Sequence, residues 1–78
     1  MICIATFYTH ASALLSHRAL KNAGIEAKMA PVPRSLSSSC GTCVSYRSDD
    51  PHFDLLDADV EAVYEASDDG YRRLLYHE

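Results

Sequence analysis

ICIATFYTHASALLSHRALKNAGIEAKMA, residues 2–30, holds a strand, a helix and a second strand, and its reading decides the fold. ICIATFY (2–8) is β-rich and mostly apolar, the pattern of a strand buried inside a sheet. Thr9 then offers an N-cap, and Ala11, Leu14, Leu15, Ala19, Leu20 and Ala23 recur at the spacing of one helical face. Gly24 stands where helices stop. IEAKMA (25–30) alternates Ile25, Ala27 and Met29 against Glu26 and Lys28, a period of two with one wet face. Pro31 and Pro33 lack the N–H that a ladder needs and end that strand.

Beyond Cys40, TCVSYR (42–47) alternates again, with Thr42, Val44 and Tyr46 on one side and Cys43, Ser45 and Arg47 on the other. Asp49-Asp50-Pro51 reads as a helix start, predicting a helix over about 51–58 that packs Phe53, Leu55 and Leu56. VEAVYEA follows as a strand, Ser67-Asp68-Asp69-Gly70 as a tight turn, and YRRLLYHE (71–78) as either a returning strand or a short helix. The order β-α-β-β-α-β, with an extra C-terminal strand if the tail extends, predicts an α+β, ferredoxin-like split βαβ sandwich. Seventy-eight residues, 47% of them apolar, give one domain over 1–78 and enough apolar surface for one modest core.

Charge is uneven along the chain. Residues 1–47 set five cations against Glu26, a net of +4, while residues 48–78 set ten acids against Arg72 and Arg73, a net of −8. Such asymmetry makes either mixed surfaces after folding or complementary faces for a homodimer. A total of −4, with no basic stripe between aromatics, argues against nucleic acid. No apolar run approaches the ~20 residues that cross a bilayer, so no membrane partner is expected. MICIATFYTH lacks the pattern of a secretory leader, and three cysteines are an odd number, so a reducing cytoplasmic setting is expected.

PVPRSLSSSCGTC (31–43) carries the chemistry. A thiolate is the reactive form of cysteine, and free thiols are mostly protonated at neutral pH. Arg34 lies six positions before Cys40, where a curled loop brings its charge back toward the sulfur. The hydroxyls of Ser35, Ser37, Ser38 and Ser39 are further donors. Gly41 admits positive φ and removes bulk beside Cys40. The same stretch also fits a plain polar loop. The C-x-x-C spacing of Cys40 and Cys43 adds a redox pair, although residues three apart on a strand face oppositely, or half of a zinc site needing Cys3 or two of His10, His17, His52 and His77. Elsewhere Cys3 reads as a small core residue and His10 and His17 as one solvated helix edge. Asp57, Asp59 and Glu61 read as solvated acidic surface. No phosphate loop, nucleophile elbow or zinc-protease motif occurs.

With the strand–helix–strand opening, PVPRSLSSSCG and the later AVYEASDDGY, the sequence resembles the selenium/sulfur carrier-like family of short bacterial proteins. The loop matches a P-x-P-R-x-[LIV]-S-S-x-C-G pattern. The resemblance implies that Cys40 is the carrier thiol, bearing a persulfide or selenide equivalent. It implies that Pro31, Pro33, Arg34, Ser37, Ser38 and Gly41 shape its loop. A cysteine desulfurase or TusA-like relay protein is the implied donor, with no cofactor, and the role is a carrier's more than a catalyst's. Cys43 departs from the family pattern and reads either as a resolving thiol or as an outward-facing strand residue. The alternatives are a small regulatory or interaction module with Cys40 incidental, and a metal-binding domain.

Overall fold

The computed structural model describes residues 1–77. The elements are β1 (Ile2–Phe7), α1 (His10–Asn22), β2 (Glu26–Pro31), β3 (Thr42–Arg47), β4 (Val60–Ser67) and β5 (Gly70–Tyr76), with a single 3-10 turn at Phe53–Leu55. The strands form one antiparallel sheet in the order β2-β3-β1-β4-β5. β1 and β2 both run antiparallel to β3, which lies between them, so β1-α1-β2 is the expected split crossover. Thr9 caps α1, its hydroxyl accepting from the Ser12 amide at 3.1 Å. Gly24, at φ 80°, leads the chain out of the helix.

The chain is α+β, but the β-α-β-β-α-β order is not met. Where a second helix was expected over 51–58 there is one 3-10 turn. His52 is left-handed at φ 53°, its amide bonded to Asp50 Oδ1 and its ring to the Ser48 hydroxyl. That geometry breaks the helix at its first turn. Further on, Asp57 is taken by α1: its amide donates to Ser16 Oγ at 2.8 Å and its carboxylate accepts from Ser12 Oγ at 2.7 Å. An eight-residue helix is marginal alone, and these side-chain bonds satisfy the same backbone without it. Leu55 and Leu56 do pack against the core, while Phe53 is exposed. The tail is a strand through Tyr76, joined to β4 by a two-residue Asp68-Asp69 turn; Glu78 lies outside the described residues.

Cys3, Ala5 and Phe7 alternate toward α1 and meet Val44 and Tyr46 of β3 and Val60 and Val63 of β4, with Ala13 and Leu20 closing the core from the helix. Burying a side chain such as Phe7 or Leu20 contributes about 2 kcal/mol. The helix face differs from the one its leucines suggest. Ser12, Ala13, Ser16 and Leu20 are buried, whereas Leu15 is exposed, because Asp57 gives the two serines partners inside. His17, read as solvated, is half-buried with Nε2 3.2 Å from the Ala27 carbonyl. The ion pairs among the described residues, Arg72–Glu65 and Arg47–Glu26, each stay within one half of the chain.

Candidate functional site

The loop of residues 32–41 connects β2 to β3 at the end of the sheet where β1 finishes and α1 begins. Pro31 pairs with Thr42 as the last rung, and the Val32 amide donates to the Gly41 carbonyl at 3.1 Å, closing the neck of the loop. Pro33 starts a turn that the Leu36 amide closes on the Pro33 carbonyl at 3.0 Å, which puts Arg34 at the corner. Arg34 is exposed and, among the described residues, bonds to neither Cys40 nor any acid.

The second half of the loop is tied to the sheet. Phe7 lies beyond the last β1–β3 pair, Thr6↔Cys43, and its carbonyl accepts from Ser38 Oγ at 3.2 Å. Ser39 donates its amide and hydroxyl to the two Glu61 oxygens at 3.1 and 3.2 Å. Cys40 follows, half-buried against the helix-side core, its thiol donating to the Thr42 carbonyl at 3.4 Å. Gly41 adopts φ 75°, and a Cβ there would meet nothing within 4 Å. The glycine is therefore demanded by backbone conformation, and the space beside Cys40 is open on that side. Thr42 links the loop to the helix start, since His10 Nδ1 lies 3.4 Å from its hydroxyl.

Cys43 lies elsewhere. It pairs with Thr6 and so projects from the sheet face opposite Cys3, Ala5 and Phe7. It does not point outward into solvent: it is buried, its thiol donating to the Pro31 carbonyl at 3.6 Å. Burial pushes its thiol above the ordinary value, and a charge on Cys40 would push it further. Cys3 is a core residue, its thiol raised by burial and partly offset by the Tyr46 hydroxyl. Tyr46 donates to the Pro51 carbonyl, and burial raises it strongly. Among the described residues no three of His, Cys, Asp and Glu gather as a metal site would need. No helix among them is long and apolar enough to cross a membrane.

Gly41 thus lies beside Cys40, the Ser38 hydroxyl turns to the Phe7 carbonyl and not to the thiol, Arg34 and Ser37 are exposed, and Thr42, Glu61 and His10 meet the loop or its end. The family model that matches this chain, described as "Putative Se/S carrier protein-like", covers residues 2–53. The chain belongs to that family. The match takes in β1 through β3 with the whole cysteine loop and leaves β4 and β5 outside it. No curated protein and no solved structure matches the chain. Glu61, expected as solvated acidic surface, instead holds Ser39, and an acid in an acid-rich half carries no local signal of such a partner. Two sequence-distant elements had to meet before it acquired a partner. His10 and Thr42 are of the same kind.

Proposed function

We propose that the protein is a sulfur or selenium carrier with Cys40 as its carrier thiol. The observation that carries this is the contrast among the three cysteines: Cys3 and Cys43 are buried, and Cys40 alone is half-exposed, on a loop closed at its neck and tied to two strands. The Cys40 thiolate attacks the outer sulfur of a donor persulfide, R–S–SH. The donor S–S bond breaks, R–S⁻ departs, and Cys40–S–SH forms. An acceptor nucleophile then attacks the terminal sulfur and Cys40 leaves as thiolate, with no net redox change in either exchange. Selenium follows the same scheme. The donor is a cysteine desulfurase or a TusA-like relay protein, and the chemistry needs a reducing, cytoplasmic compartment. Arg34, exposed on its turn, would meet the negative charge of an incoming group.

The test loads the purified chain with a desulfurase and free cysteine and reads bound sulfur by mass spectrometry. Wild type gains one sulfur on Cys40, and Cys40→Ser gains none while remaining folded. Equal loading of Cys40→Ser, through Cys3 or Cys43, overturns the reading. A second reading, a protein-interaction module that pairs with its own copy or another chain, draws on the sheet face away from α1. There Ile2, Tyr71 and Tyr76 are exposed and Arg73 lies 4.6 Å over the Tyr76 ring.

A further inference from the structure

One carboxylate holds the backbone immediately before Cys40. Glu61 takes the Ser39 amide on one oxygen and the Ser39 hydroxyl on the other. Its aim has a structural origin. β4 pairs with β1 as Thr6↔Ala62 and then Phe7↔Val60, so Glu61 is the extra residue of a β-bulge. A bulge turns the chain locally and re-directs the side chain it inserts. The Glu61 carbonyl accepts from the His77 amide at 2.8 Å, which fixes the bulge from its other side. Phe7, opposite the bulge, takes Ser38. Two successive loop residues are thereby clasped at one level of the sheet, and Cys40 is next in the chain. In that arrangement its thiol rests on the Thr42 carbonyl and its side chain on the core. Glu61 lies outside the stretch that the family model covers.

We propose that Glu61 is a positioning residue for Cys40: its clasp on Ser39 keeps the loop seated and the thiol only partly exposed, and releasing the clasp widens that exposure. A partner that offers a cation to Glu61, or a donor to replace Ser39, would release it. The purpose of such a device rests on Cys40 being the carrier thiol, but its operation does not, so the two can fail separately.

The test is alkylation of each cysteine by iodoacetamide as a function of pH, followed by mass spectrometry with no sulfur donor present; limiting rates at high pH are compared, where loss of the Glu61 charge no longer alters the thiolate fraction. In Glu61→Ala, Cys40 reacts about fivefold faster than in wild type, the factor that one net hydrogen bond supplies. Cys3 and Cys43, both buried, keep their wild-type rates. Ser39→Ala removes only the hydroxyl bond and gives a smaller rise, and adding it to Glu61→Ala gives no further increase. Glu61→Gln keeps the bulk and one acceptor oxygen and falls between; it decides the matter if the alanine variant does not fold. An unchanged Cys40 rate overturns the proposal. So does a rise shared by all three cysteines, which reports general loosening.

Discussion

Cys40 and Cys43 are separated by two residues and differ in face, exposure and partner. Cys40 packs against the buried core from a loop, half-exposed, its thiol on a carbonyl of the strand it precedes. Cys43 is a strand residue on the opposite face, fully buried, its thiol on the carbonyl that ends β2. The difference shows how little a C-x-x-C spacing says once one cysteine enters a strand. The face is set by the pairing of Cys43 with Thr6, and the turn at Gly41 sets where Cys40 sits. In this structure the pair is one accessible thiol and one core residue, an arrangement that does not favour Cys43 as a resolving thiol.

The largest expected effect is kinetic. In the native wild type, a small alkylating reagent should modify Cys40 at least about 100-fold faster than Cys43 or Cys3, because the buried two react only through opening of the sheet. Comparable rates at Cys40 and Cys43 would erase the distinction. Next comes charge. Cys43→Asp places a carboxylate in a buried strand site and should cost about 3 kcal/mol or more by urea denaturation. Cys40→Asp, half in water, should cost about 1 kcal/mol. The smallest effect is pH dependence. Burial holds the Cys43 and Cys3 thiols above their ordinary 9.0, so the folded chain keeps those protons where the unfolded chain releases them. Their contribution to stability is therefore full below about pH 9 and declines as pH rises through the raised folded values. The urea midpoint should fall between about pH 8 and about pH 10, and fall less in Cys43→Ala. An equal fall in the variant would mean that Cys43 holds its proton no more tightly when folded.

The sequence pattern shows most clearly where local and tertiary demands agree. Ile2–Phe7, the Thr9 cap, the alternation of Glu26–Pro31 and the Asp68-Asp69 turn are legible because each element is dictated by its own residues. The second helix was not. Asp50, His52 and Asp57 form bonds with Ser48, Ser12 and Ser16 that periodicity cannot reveal. The same serines hid the true inner face of α1, since a buried serine looks polar until its partner is known. At the site, the cysteine and its glycine were visible as residue types. Glu61, Thr42 and His10 were not, because the pairing of β4 with β1 and the closeness of β3 to the helix start place them.

The neck of the cysteine loop has a further consequence. Because the Val32 amide meets the Gly41 carbonyl, Cys40 sits one residue from a closed hairpin base, and it cannot travel as a residue on a free tail does. The reach of the thiol is therefore the reach of the whole domain. If Cys40 carries sulfur, an acceptor would have to offer its reacting atom at a rim or in a cleft wide enough to admit the whole loop of residues 32–41. A narrow tunnel would exclude such a thiol, however well the two surfaces matched.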